Sequence, residues 1–269
     1  MSTEKELAYR YDLFITPDWR NRFDTLIAES VDLPAEGRIL EVNCGTGDYA
    51  IELGEKLKGK GEVFATDPSE ERLEIARAKA QVKKVDNVEF DRVGAAELPF
   101  AGDGFDAVIG DGSMLHAAET TDLLGEMVRL AKPGGRVILK MATHGSFDEF
   151  FSVFWEALLG AGIVDQVWGR LESLINERPN ISEAGELAMR KGLRDVQSYT
   201  SREEFSFDNA GEFLESPLMK DEFLGKWLGI VPEEHREKVV AEVVAIIDNE
   251  RHGGPFDVSV KATVIAGTK

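Results

Sequence analysis

The residues best placed to do chemistry lie in one stretch, ILEVNCGTGDYA at positions 39–50. An apolar run enters a turn built on Asn43, Cys44, Gly45, Thr46 and Gly47, and Asp48 then opens a helix. Glycine lets the backbone come close to a ligand, and the helix N-terminus behind such a turn attracts an anion. A second acid, Asp67, ends the next apolar run about 20 residues past Gly45, where a carboxylate accepts hydrogen bonds from ribose hydroxyls. The two features together predict a site for a nucleoside-containing cofactor. Taken alone, Gly45-x-Gly47-x-x-Ala50 also fits the G-x-G-x-x-A pattern of dinucleotide-binding turns. An NAD(P)-dependent oxidoreductase therefore competes at this point.

Acid–base groups are sparser. His116 and His144 follow the fourth and fifth apolar runs, which puts both at the ligand-binding end of a parallel sheet. Either has the pKa of a general base at neutral pH, although loop hydrogen bonding is the plainer explanation of both. Tyr11 offers a third catalytic candidate or a cover over the site, and Asp111 ends the fourth run as a further cofactor contact. His235 and His252 sit in charged or glycine-rich surroundings and read as surface residues. A single cysteine, Cys44, and no H-x-x-x-H pair leave no metal constellation or disulfide, and no G-x-S-x-G elbow is present.

Positioning these residues requires a frame. Residues 1–30 read as helix, with aromatics at Tyr9, Tyr11, Phe14, Trp19 and Phe23. Short apolar strands are predicted at 38–42, 62–66, 88–93, 105–109 and 136–140, with helical patterns between them. Leu124, Met127, Val128 and Ala131 recur at i, i+3, i+4, i+7, the spacing of a helix face. Strands alternating with helices imply parallel β-α-β units, and nearly all-apolar strands imply helices on both faces. Beyond residue 144 the alternation loosens into helical additions. Phe147, Phe150, Phe151, Phe154, Trp155 and Leu158 form an aromatic stripe, read first as core and second as a substrate pocket. Val240, Val243, Val244 and Ile247 mark another helix, and strands at 195–199 and 258–266 close the chain.

At this level of detail the sequence resembles the class I methyltransferases that use S-adenosylmethionine (SAM). Residues 41–47 look like their E/D-x-G-x-G-x-G turn, and Asp67 like their ribose-binding acid. Glu97-Leu98-Pro99-Phe100 with Phe105-Asp106 resembles the approach to their fourth strand, and Leu130 to Gly135 their L-x-P-G-G turn. Tyr11-Asp12 resembles the Y-D of their cofactor-covering helix. The five segments follow in order over residues 9–140, and the ubiquinone- and biotin-pathway-like branch acting on small molecules is the most similar. The resemblance implies a Rossmann-like α/β fold: a doubly wound, mostly parallel seven-stranded sheet with helices on both faces, an antiparallel C-terminal strand and helical insertions. It implies one methyltransferase domain over 1–269, with its core at about 37–144, 185–207 and 256–269 and its caps at about 1–30, 145–184 and 208–255. It implies SAM as cofactor, held by Tyr11, Glu41, Asn43, Cys44, Gly45, Thr46, Gly47, Asp67, Pro68, Ala95, Ala96, Glu97 and Asp111. Glu41 suits the methionine ammonium.

Two positions depart from the family. Asn43 stands where the turn usually has glycine, and asparagine is the next most tolerant of positive φ. Ala95 stands where an aspartate often meets adenine, which leaves backbone at Ala95 and Ala96. These departures motivate an alternative, a methyltransferase-fold binding or scaffold protein without catalysis.

Composition narrows the partners. A net charge of −19 repels a phosphate backbone, so no nucleic-acid substrate is expected. No apolar run reaches the ~20 residues of a membrane span and the N-terminus lacks a signal core, so a cytoplasmic protein is expected. Aromatics at Phe147, Phe151, Trp155, Trp168, Phe205, Phe207 and Trp227 in the additions point to an apolar small-molecule acceptor. The expected reaction is in-line methyl transfer from SAM, in which alignment of the reactants can do most of the work.

Overall fold

The computed structural model describes residues 2–95, 98–250 and 254–269. Its strands are β1 (Gly37–Val42), β2 (Gly61–Asp67), β3 (Val88–Arg92), β4 (Phe105–Asp111), β5 (Ala131–Ala142), β6 (Arg194–Phe207) and β7 (Phe256–Thr268). They form one sheet in the order β3-β2-β1-β4-β5-β7-β6, with β1 to β5 parallel and β7 antiparallel to β5. The strand order reverses between β1 and β4, which opens the crevice where such sheets bind ligands.

Two strands extend furthest beyond their expected bounds. β5 begins at Ala131 because a register shift pairs Phe105 with Ala131 and Ala107 with Arg136, drawing the Pro-Gly-Gly turn into the sheet. β6 continues to Phe207 through Ser201, Arg202, Glu203 and Glu204. It lies at the sheet edge, where polar residues are tolerated and blunt further pairing, so Ser201 to Glu204 carry no apolar signal. Phe205 and Phe207 accordingly belong to a strand, not to a helical addition.

The chain forms two compact units. The first comprises Met1–Ala142, Pro179–Ser201 and Ala262–Lys269. Alternate residues of its strands serve opposite layers: Ile39, Val63 and Ile109 pack with Ile51, Leu53 and Leu73 on one face, and Leu40, Val108 and Leu139 with Leu123, Leu124 and Met127 on the other. The helices of these layers are α3 (Asp48–Leu57), α4 (Glu70–Lys83) and α5 (Ala117–Leu130).

The N-terminal segment is continuous helix. α1 (Glu4–Arg10) starts with a capping box between Thr3 and Glu6, passes into a π-helical stretch (Tyr11–Arg20) and continues as α2 (Asn21–Ser30). Its buried residues Tyr11, Ile15, Trp19, Phe23 and Ile27 repeat every fourth position. A strict repeat of four overshoots the 3.6-residue α turn, and the wider π turn around Pro17 absorbs the excess. One face of the helix therefore stays turned inward over its whole length.

The second unit comprises Thr143–Arg178 and Arg202–Lys261. It holds α6 (Asp148–Ala161), α7 (Val164–Ile175), the short α9 (Ala210–Glu215) and α10 (Leu224–Leu228), and α11 (Glu233–Glu250), while α8 (Ile181–Arg190) belongs to the first. Phe147, Phe150, Phe151, Phe154 and Leu158 are buried, so the aromatic stripe is mainly core. Phe150 stacks on Trp227 at 4.6 Å and lies 5.3 Å from Phe213. Trp155 and Trp168 point outward, 43% and 49% exposed. The buried face of α11 is Val239, Val243 and Ile247, with Val240 and Val244 only half-buried.

Candidate cofactor site

β1 leaves the sheet through three residues in the left-handed region: Asn43 at φ 58°, Gly45 at 60° and Gly47 at 78°. Glycine is required at the last two. A Cβ on Gly47 would come within 2.6 Å of Ala76 Cβ, and one on Gly45 within 2.9 Å of the Tyr11 ring. Asn43 adopts a left-handed conformation that asparagine tolerates and adds a bond, donating from Nδ2 to the Asp111 carbonyl at 2.8 Å. The exits of β1 and β4 are thereby tied together across the switch point.

Asp67 is buried at the end of β2. Its Oδ2 accepts from the Gly45 amide at 2.9 Å and its Oδ1 from the Ser69 amide at 3.0 Å. Burial pushes its carboxyl up, opposed by Arg72 and by those two amides. Each oxygen has a second lone pair for a hydroxyl. Cys44 is buried with its amide on the Thr66 carbonyl, and Pro68 is exposed. Ala95 is half-buried against the core, and Ala96 and Glu97 lie outside the described residues, as does His252.

Beneath the turn lies a cluster of five buried charges: Arg20, Asp24, Glu41, Asp111 and Lys140. Glu41 Oε1 receives Arg20 Nη2 at 3.2 Å and Lys140 Nζ at 3.4 Å. Lys140 also donates to Asp24 Oδ1 at 2.7 Å. Arg20 Nη1 pairs with Asp111 Oδ2 at 2.9 Å. Asp111 Oδ1 accepts from the Ser113 amide and hydroxyl, and Ser113 Oγ in turn accepts from Trp19 Nε1 at 2.8 Å. Burial raises the Glu41 carboxyl to about 7, against the pull of Lys140 and Arg20. Burial acts on Asp111 too, yet Arg20, Lys140 and Ser113 hold it below its ordinary value. Glu41 Oε2 is buried and receives no hydrogen bond among the described residues.

The N-terminal helix closes on the turn. The Tyr11 ring and Arg20 Nε stand within 2.9 and 3.3 Å of where a Gly45 side chain would begin. Arg72 lies 3.7 Å above the Tyr11 ring, Thr16 Oγ1 meets Thr46 Oγ1 at 3.2 Å, and Lys79 bridges Asp12 and Asp48. Tyr11 thus covers the glycine turn and borders Arg20, whose Nη1 donates to its hydroxyl at 3.4 Å.

The expected residues Glu41, Asn43 to Gly47, Asp67, Asp111 and Tyr11 come together. His116 and His144 do not join them. His116 caps α5, its amide bonded to Glu119 at 2.9 Å with an exposed side chain, and His144 is exposed in the second unit. Arg20, Asp24 and Lys140 are not singled out by the sequence reading. Lys140 was the available signal, a charge directly after the apolar run Val137-Ile138-Leu139 in a strand buried on both faces.

A family model described as a methyltransferase domain matches residues 34–155. A demethylmenaquinone methyltransferase of Lactococcus lactis is 35% identical over 43% of this chain and 46% of its own length. One from Oceanobacillus iheyensis is 34% identical over 68% of this chain and 79% of its own. The chain spans less than half the length of the first relative and more than two thirds of the second. The solved Haemonchus contortus phosphoethanolamine N-methyltransferase 2 in complex with SAM has the same fold, at TM-score 0.57 and 18% identity, over 99% of this chain and 57% of that one. This chain belongs to the class I SAM-dependent methyltransferases. The nicotinamide alternative is set aside.

Proposed function

We propose that this protein transfers the methyl group of SAM to a small, largely apolar acceptor by in-line displacement. One observation carries the reading: the unsatisfied Glu41 Oε2 in a buried cluster whose ionised side chains, two cations and three carboxylates, sum to minus one. SAM has a net charge of plus one, and its ammonium is the donor that Glu41 lacks. Arg20 is a partner for the cofactor carboxylate, and Asp67 for the ribose hydroxyls. Entry requires the Tyr11 and Arg20 side chains to move from Gly45, and the latch at Lys79, Thr16 and Arg72 then recloses the helix over the cofactor.

SAM supplies an activated methyl group that leaves as the sulfonium charge disappears. The protein's task is to bind, align and exclude water, and alignment alone can contribute ~7–11 kcal/mol. The exposed His116 and His144 carry no step in this reading, and Tyr11 acts as a cover. The left-handed Asn43 retains the turn geometry, which favours a working site over the scaffold alternative.

Calorimetric titration of the full chain with SAM and with NAD tests the proposal. Saturable binding of SAM and none of NAD is expected, with a matching rise in melting temperature. No SAM binding at millimolar concentration rejects it. A screen in which only highly polar acceptors turn over rejects the acceptor class.

A further inference from the structure

The N-terminal helix and α4 enclose an open groove of about 500 Å³, which lies wholly within the first unit. Tyr9 lines it from one helix, and Ile75, Ala78 and Val82 from the other. Tyr9 is 50% exposed and Val82 82%. Leu13, four residues past Tyr9 and on the same side of the helix, is 64% exposed, and Phe14 next to it 47%. A single exposed apolar side chain needs no explanation, but four on one surface mark a contact.

The charge around the groove narrows the partner. The chain carries −19, so most of its surface repels a second copy, an anionic membrane and a nucleic acid alike. At the groove that excess is absent: Lys5, Lys79 and Lys83 stand against Asp12, Glu71 and Glu74. A cationic partner would favour the acidic remainder of the surface, and an anionic one gains nothing from a neutral rim. A rim of both signs complements a copy of itself. Lys79 is held by Asp12 and Asp48, whereas Lys5 and Glu74 make no hydrogen bond or ion pair among the described residues. The shape is self-complementary too. The patch has a hollow between Tyr9 and Val82, and projections at Leu13 and Phe14 one helical turn away. A two-fold axis between hollow and projection seats each copy's projections in the other's hollow.

We infer that two copies of this chain associate through this face as an isologous dimer. Leu13 and Phe14 of each copy fill the groove of the other, and Lys5 of one copy pairs with Glu74 of the other. Association removes the exposed apolar side chains from water and leaves no free copy of the patch for further addition.

Sedimentation of the full chain over a concentration series tests the dimer, at about 0.15 M salt, where a Debye length of about 8 Å screens the distant charges. A monomer–dimer equilibrium with a dissociation constant on the order of 10 µM or tighter is expected. Leu13→Glu combined with Val82→Glu should weaken it by about a hundredfold or more, because each buried carboxylate enters the interface twice. The circular dichroism of that variant should stay native, since both side chains are exposed in the single chain. A mixing experiment then reads the geometry. Lys5→Glu sets like charges opposite each other at both copies of the pair, and so does Glu74→Lys, so each variant alone should associate about tenfold more weakly. Mixed, the two variants restore opposite charges at both pairs, and the mixed dimer should regain the native affinity. A native chain that stays monomeric to about 100 µM, a dimer that survives the double glutamate variant, or a mixture no tighter than its components overturns the proposal.

Discussion

The two units bury opposite kinds of side chain. In the first, five charges lie beneath the glycine turn, each cation shared among carboxylates. In the second, Phe147, Phe150, Phe154, Phe213, Phe223 and Trp227 enclose one another. A buried charge cluster is weak evidence for stability, since desolvation offsets most of its attraction, whereas aromatic burial is direct stabilisation. The first cluster has the charges that ligand chemistry needs, and the second supplies cohesion.

The sharpest way to break that contrast is Lys140→Met. It leaves three buried carboxylates facing one arginine, and a loss of roughly 5 kcal/mol in denaturant unfolding is expected. A loss under 1 kcal/mol would mean that water reaches the cluster. Next comes Phe150→Ala, which opens a cavity beside Trp227 and should cost about 3–4 kcal/mol. SAM affinity measured on the folded variant should be unchanged; a matching loss of affinity would dissolve the division of labour.

Glu41→Gln should weaken SAM by about tenfold to a hundredfold in calorimetry, the worth of one charge-assisted bond. The same variant carries a pH signature. Because the folded carboxyl titrates at about 7 and the unfolded one near 4.5, Glu41 supports stability below 4.5 and that support is lost as pH rises through 7. The ionised form is the one that accepts an ammonium. Native SAM affinity should therefore climb as pH rises through 7 while this contribution to stability falls, and both slopes should flatten in Glu41→Gln. Opposite slopes would remove Glu41 from the ammonium site. The smallest effect is at Asn43. Asn43→Ala should cost about 1 kcal/mol, from the left-handed backbone and the lost bond to Asp111, and Asn43→Gly less, as shifts in the denaturant midpoint.

The strand and helix order of the first unit was legible because each β-α-β element repeats one apolar pattern, and the parallel sheet buries it on both faces. Asn43 was legible as a left-handed residue because few other side chains tolerate that backbone. The edge portion of β6 was not: Ser201 to Glu204 are polar, and their strand geometry comes from pairing with a neighbour rather than from their own pattern. Arg20 and Asp24, on the N-terminal helix, and Lys140, on β5, lie more than a hundred residues apart in the chain, so their shared cluster had no local trace. Trp155 looked like part of the aromatic stripe, and only the direction of α6 turned it outward.

What the amino-acid order alone determined is the local chemistry: a glycine turn with obligatory left-handed positions, a carboxylate beyond the second strand and the alternation that folds into a doubly wound sheet. What tertiary structure decided is which charges share one buried volume and where the N-terminal helix lies on the turn. The division has a physical cause. Backbone conformation and hydrophobic period act over a few residues, whereas desolvation and Coulomb pairing depend on distances that only the packed chain sets.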